Sequence, residues 1–370
     1  MTSFPETISL ASGYGNFQPP TVAVQAAAHL LTAGPLPISP VEGLPEVRAA
    51  IAARYQRQGA AVQPEQVVLT AGAKPALLAV FQALLQPQQE VLLLTPNWFG
   101  FRGLVEKAGG TLRTLPLDPA TDYALDLEAI QAALTPQTRI LLLSNPNNPT
   151  GRVYTRPEWQ GLLHLTRQWP NLAVVSDEIY DGINFGPERV VSLLEFADPH
   201  QQHIVVSGFS KSLALIGWSA GYLVAPLPLV RQATAWQFAT NAAVAALSQA
   251  AAQAVTEHAE TISRELCQGL AATRELMQTA LAALPGVKNQ VPAGTYYFFP
   301  DFRAYLNPAL APGPASAELV ARLRAGGVET VDGASCDAPG FLRLSYALPE
   351  PLLREALRRL STVLVGSSAG

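Results

Sequence analysis

VVSDEIYDG, residues 174–182, and HIVVSGFSKSLALIGWSAG, residues 203–221, share one design: a short apolar run that leads into a chemically active side chain. The first run ends at Asp177 and the second passes into Ser210-Lys211. Runs that are apolar at every position, rather than at every other one, are expected of strands buried on both faces, as parallel strands are between two layers of helix. Working outward, short β-rich runs, most of them apolar, give strand candidates at Val67–Thr70, Glu90–Thr95, Thr111–Leu115, Arg139–Leu143, Leu172–Val175, His203–Val206 and Gly221–Val224. Amphipathic segments such as Pro75–Leu85 and Pro157–Trp169 separate several of them. The alternation predicts an α/β chain built on a mostly parallel seven-stranded sheet with helices on both faces. Ligands of such sheets collect at the carboxyl ends of the strands. There the sequence places Ala71-Gly72-Ala73-Lys74, Pro96-Asn97-Trp98, SNPNNPTG (residues 144–151), Asp177 and Lys211.

Beyond Pro226 two long helical stretches are expected, roughly Leu229–Thr256 and Glu257–Leu284, with Pro285-Gly286 stopping the second. Strands near Tyr296–Phe299 and Phe341–Ser345, then a helix from about Pro349, predict a smaller α+β unit. The first 45 residues are expected to join it. The reading is therefore a large domain over 46–284 and a small one built from 1–45 and 285–370.

Composition removes several function classes. A net charge of −4 and basic residues scattered singly give no footprint for nucleic acid. Two cysteines, Cys267 and Cys336, make no metal spacing and no disulfide framework, which fits a reducing, cytoplasmic setting. The five histidines show no metal spacing either, so no metal is expected. The segment MTSFPETISLASGYGNF lacks a basic start and an apolar core, so no signal peptide is read there. The alanine-rich run from Asn241 to Val255 carries Ser248, Gln249 and Gln253 and falls short of the roughly 20 residues a membrane span needs. It is read as a buried helix.

A lysine displayed at a sheet edge, with an acid at the end of a neighbouring strand, suits a Schiff base with pyridoxal phosphate, the acid facing the ring nitrogen. The remaining motifs fall in line with this. TAGAKPAL, PNWF, SNPNNPTG, SDEIY, GFSKSLALIGW, AGTYYFFP and FLRLSYALPE, in that order, resemble the class I/II aminotransferases, the fold-type-I pyridoxal phosphate enzymes, from about residue 8 to residue 360. The resemblance implies that Lys211 holds the cofactor and then shuttles a proton, that Asp177 keeps the ring nitrogen protonated, and that Asn148 and Tyr180 bind the phenolic oxygen. It further implies that Trp98 stacks on the ring, and that Gly72, Ala73, Lys74 and Ser210 surround the phosphate at a helix start. Arg343 would take the substrate α-carboxylate in a two-pronged grip, and Asn16 and Phe17 would belong to a segment closing over the substrate.

Two positions depart from the family pattern. Ser219 stands where members usually carry an arginine for the phosphate, and Ile38 where a tyrosine usually reaches the phosphate of the partner subunit. Ser210 and Ser219 offer only neutral hydrogen bonds, with Lys74 a nearby substitute cation. Three readings stay open: an aminotransferase moving the amino group of an L-α-amino acid to a 2-oxo acid; a lyase or cyclase on the same fold; and a non-catalytic descendant. The resemblance also implies a homodimer, and Ile38, Phe17 and Trp98 lean the pocket toward apolar or aromatic side chains.

Overall fold

The computed structural model describes residues 4–240 and 242–366. Residues 1–3, 241 and 367–370, which include the outermost tips of the expected small domain and the first residue of the alanine-rich run, lie outside the described residues. Strand β1 (Ile8–Ser9) stands apart from the main sheet. The strands β2 (Val67–Thr70), β3 (Glu90–Thr95), β4 (Thr111–Pro116), β5 (Thr138–Ser144), β6 (Ala173–Asp177), β7 (His203–Gly208) and β8 (Gly221–Val224) form a seven-stranded sheet in the order β2-β8-β7-β6-β5-β3-β4. The expected strands are all present. Strand β8 pairs antiparallel with β2 and β7, whereas the other neighbours are parallel.

The apolar runs explain this sheet. Successive side chains of a strand point to opposite faces. Leu92 and Leu94 of β3, Leu141 and Leu143 of β5 and Val174 of β6 accordingly enter one core. Val91 and Leu93, Ile140 and Leu142, and Val175 enter the other. Both faces are covered by helices, so a polar residue inside these runs would meet apolar packing on either side. Each fully buried Leu or Val contributes on the order of 1.5–3 kcal/mol. In the inner strands polar side chains gather toward the ends, where the loops of the site begin, whereas the edge strand β4 carries Arg113 and Thr114 in its middle.

A second unit is built from β9 (Tyr297–Phe298), β10 (Val328–Glu329), β11 (Val331–Asp332) and β12 (Leu342–Ser345). Strand β12 pairs antiparallel with both β11 and β9, and β1 pairs parallel with β10. Its core holds Ile8, Leu10, Tyr296, Tyr297, Phe298, Leu342 and Leu344. The N-terminal stretch serves both units: Ile8 and Leu10 pack here, but Ala23, on the helix Thr21–Thr32, belongs to the large core. The long helix Ala259–Ala282 does the same, with Ala259 and Ile262 in the large core and Leu270, Met277 and Leu281 in the small one.

The first expected long helix is two helices, Leu227–Thr240 and Ala246–Glu257. Two buried glutamines hold the break. Gln237 donates to the carbonyls of Val41 and Leu69, at 2.6 and 2.8 Å. Gln249 donates to Val244 O at 2.8 Å and accepts from the Leu44 N–H at 2.7 Å. Each amide satisfies backbone groups that would otherwise be buried without partners. An alanine-rich sequence gives no hint of such a device.

Candidate active site

The carboxyl ends of β2, β3, β5, β6 and β7 open into one cleft of about 720 Å³. Strand β8 contributes although it runs the other way. Its first residue, Gly221, pairs with Thr70 and Gly208 at the ends of β2 and β7, so the loop that enters it, with Ser219, lies at the same edge. Gly72, Ala73, Lys74, Trp98, Asn148, Asp177, Tyr180, Ser210, Lys211, Ser219 and Arg343 all line this cleft. Asn16 and Phe17 do not. They line a separate cavity of about 350 Å³ with Leu266 and Leu348, where Phe17 packs edge-on against Tyr296. The same segment reaches the cleft slightly earlier, through Gly13 and Tyr14. An irregular segment carries no period from which its register can be read, and the expectation fell on its later residues.

The turn after β6 shows how the chain aims its acids. Asp177 faces the cleft and accepts the Ile179 N–H at 3.2 Å. Glu178 points away, accepting from Ser192 Oγ at 2.7 Å and Leu193 N at 3.0 Å. Asp181 forms a 2.7 Å ion pair with Arg54. With its neighbours tied down, Asp177 is held in one direction. Burial pushes its carboxyl up to about 6, against the pull of that N–H and of Lys211. Burial also brings the Lys211 ammonium down to about 7, helped by the charges of Arg343 and Lys74. A lysine in this state is half free amine near neutrality, which is what a nucleophilic amine requires.

Lys211 Nζ donates to Gly13 O at 2.5 Å and lies 3.7 Å from the centre of the Tyr14 ring. The same carbonyl accepts Tyr296 Oη at 2.9 Å and Tyr297 Oη at 3.2 Å. A carbonyl oxygen has two lone pairs. Gly13 thus keeps its anchorage on the two tyrosines when the lysine turns elsewhere. Tyr180 and Tyr297 share a 2.7 Å hydroxyl–hydroxyl bond. The doublet Tyr296-Tyr297 lies in the AGTYYFFP motif, but only the structure shows which rings meet Gly13 and the cleft.

Arg343, on β12, is nearly inaccessible. It donates to Asn148 Oδ1 at 3.0 Å and Ala11 O at 2.9 Å, and its guanidinium stacks 4.3 Å from the Tyr297 ring. Its Nε is buried without a partner. An oriented guanidinium with an unused donor is suited to a carboxylate. At the far side, the helix Ala73–Leu84 starts after Gly72, which has φ 112° and no side-chain acceptor capping the helix. The N–H groups of Ala73 and Lys74 stay available there, at the positive end of the helix. A Cβ on Gly221 would stand 2.5 Å from the Gly72 carbonyl carbon, so the close approach requires glycine at 221, whereas Gly72 is required by its φ. Trp98 is held from below by Phe101, whose ring packs edge-on at 5.2 Å. Its backbone N–H donates to Asn97 Oδ1, which also accepts from Ser144 Oγ at 2.8 Å.

The arrangement fits a flat, phosphorylated aldehyde: donors at a helix start, an aromatic face, a buried acid and a free amine lie around one space. Comparison with known proteins points the same way. The family described as aminotransferase class I and II matches residues 5–360. The chain is similar to the aspartate/prephenate aminotransferase of Thermus thermophilus, 32% identical over 97% of this chain and 91% of that one. It is 33% identical to the aspartate aminotransferase of Streptomyces avermitilis, over 96% and 89% of the two chains. The crystal structure of the aspartate aminotransferase from Rhizobium meliloti matches with a TM-score of 0.91 at 28% identity, over 97% and 91%.

Proposed function

The chain belongs to the class I and II aminotransferases and depends on pyridoxal phosphate, and from this premise we propose which of its residues carry the transfer of an amino group from an L-α-amino acid to a 2-oxo acid. The compared relatives bear aminotransferase names, so the lyase or cyclase alternative is not favoured. When bound, the cofactor supplies an electron sink for the pair left on Cα. Lys211 would attach it and, as a free amine, would carry the proton that leaves Cα. Asp177 would hold a proton at the ring nitrogen. Tyr180 and Asn148 would donate to the phenolic oxygen, and Trp98 would pack against the ring face. Arg343 grips the α-carboxylate, which points the Cα–H toward Lys211.

The observation that carries this reading is the joint presence, in one cleft, of Lys211 brought down to about 7 and Arg343 held by three partners with a donor to spare. Tyr14, Phe99 and Tyr297 also line the cleft, and these rings favour an apolar or aromatic side chain on the substrate. A second reading, aspartate, is favoured by the relatives' names. Among the described residues the cleft has no second guanidinium for a distal carboxylate. A panel of amino acids added to loaded enzyme without acceptor tests both readings. Transamination yields one equivalent of 2-oxo acid per site and no free ammonia. Ammonia release would sink it, and the amino acid with the fastest half-reaction decides the side-chain class.

The assembly proposed is a homodimer in the cytoplasm. Ile38 is 99% exposed in the single chain and Leu31 58%, on the helix Thr21–Thr32 and the segment leaving it. Large apolar side chains exposed in this way suit a partner copy. Light scattering of Ile38→Asp, expected to release monomer, checks it. Two free cysteines, Cys267 and Cys336, support a reducing compartment. The domain division proposed is 46–284 against the two chain ends, with the helix Thr21–Thr32 leaning on the larger core.

A further inference from the structure

A phosphate ester near neutrality is close to a dianion, and moving such a group out of water requires opposing charge as well as hydrogen bonds. The start of the helix Ala73–Leu84 offers donors and about half a positive charge. The hydroxyls of Ser210 and Ser219, on the loop facing it, are neutral. Three side-chain cations line the cleft among the described residues: Lys74, Lys211 and Arg343. Arg343 is committed to Asn148 and Ala11 on the opposite side. Lys211 is the attachment point and gives up its positive charge to react as an amine. Lys74 remains. Its ammonium stands 5.4 Å above the Trp98 ring, with no carboxylate paired to it among the described residues.

We propose that Lys74 is the residue that balances the cofactor phosphate, its backbone N–H and its side-chain ammonium acting on the same group. The proposal rests on Lys211 as the attachment point and adds what sets cofactor affinity in this chain. Lys74 lies in the first turn of the helix, next to the free N–H groups, and its four-carbon stem lets the ammonium swing from the Trp98 face to the helix start. Its charge, after burial and the charge of Arg343, also favours the free amine of Lys211. Ser219 takes the left-handed conformation, φ 50°, just before Gly221 closes against Gly72. A neutral side chain at 219 leaves the balancing charge to position 74.

Cofactor-free protein titrated with pyridoxal phosphate and with pyridoxal isolates the phosphate end, because the two share ring and aldehyde. The ratio of their dissociation constants, read from absorbance or from quenching of tryptophan fluorescence, is the measurement. Lys74→Met is expected to lower the preference for the phosphorylated form about tenfold or more while leaving pyridoxal affinity within about twofold. Lys74→Arg is expected to keep the preference, and Ser219→Arg in the Lys74→Met background to restore most of it. A Lys74→Met protein with the wild-type ratio overturns the proposal. So does a loss that neither Lys74→Arg nor Ser219→Arg avoids, since the effect would then be structural. Failure of pyridoxal to attach to the wild-type protein would instead count against Lys211, and the two failures are thereby told apart.

Discussion

The two ends of the cleft are built on opposite principles. At the proposed carboxylate end Arg343 is buried, fixed by Asn148 Oδ1 and Ala11 O, stacked on Tyr297 and left with its Nε–H unpartnered. At the proposed phosphate end the donors are backbone N–H groups, the hydroxyls are those of Ser210 and Ser219, and Lys74, exposed on a flexible four-carbon stem, is the one side-chain cation of the cleft left over among the described residues. The first end has its geometry settled before any ligand arrives. The second meets its ligand with a generic electrostatic surface. An end that must select among substrates gains from rigidity, because a misplaced group costs binding energy directly. An end that holds one constant group tolerates replacement of its parts, as long as the charge is kept.

Substitutions along the cleft test this contrast, beginning at its centre. Lys211→Ala is expected to remove at least about 10⁴-fold of the activity and the covalent attachment of the cofactor, checked by turnover and by mass spectrometry after borohydride reduction. A reduced adduct that persists in this variant would move the attachment elsewhere and dissolve the comparison. Arg343→Lys keeps the charge but loses the fork. A fall in kcat/KM of about 10²-fold with unchanged cofactor affinity is expected, mirroring the pattern expected for Lys74→Met. Equal effects of Arg343→Lys on both ligands would mean that the two ends are not independent.

Asp177→Asn separates function from stability. Its carboxyl is raised from 3.8 to about 6 in the folded cofactor-free chain, so folding favours the protonated form. That contribution is present in full below about pH 4 and is lost as pH rises through about 6, leaving a buried carboxylate that costs on the order of 2–3 kcal/mol at pH 7. The asparagine variant is expected to unfold at higher denaturant concentration at pH 7 when cofactor-free, while losing activity. A destabilised variant at that pH would contradict the account. The smallest effect concerns pH. Because the Lys211 amine titrates near 7, the rate of pyridoxal attachment is expected to rise about tenfold per pH unit below 7 and to level off above it. Stopped-flow absorbance decides the matter; a rate still rising at pH 9 would place the amine in an ordinary, solvated setting.

Most of the sheet was legible because its strands are apolar on both faces, a pattern that helices seldom share, and because Asp177, Lys211 and Asn148 follow directly from strand ends. Arg343 was reached through the resemblance carried by FLRLSYALPE, because an arginine in a strand could equally make an ordinary ion pair. Other features lay beyond a one-dimensional reading. Asn16 and Phe17 were expected in the pocket, whereas Gly13 and Tyr14 stand there, since that segment is placed by tertiary hydrogen bonds to Tyr296 and Tyr297. The break between Thr240 and Ala246 depends on the amides of Gln237 and Gln249 bonding distant backbone, which no local propensity records. The sharing of the Ala259–Ala282 helix between two cores is likewise a matter of contacts, not of period.

The reversed direction of β8 has a consequence for how this site can change over time. Since β7 ends and β8 begins side by side, with Gly208 paired to Gly221, the loop between them is clamped at both ends by the sheet ladder. Its path inside is set by left-handed turns at Ala214, Gly217 and Ser219. Such a loop behaves as a cassette: its two ends are fixed by the clamp, while side chains that line the cleft, such as those of Ser210 and Ser219, can be exchanged with the ends held in place. On the proposed reading position 219 is one such place, where a single substitution can alter the cofactor grip without remodelling of the fold.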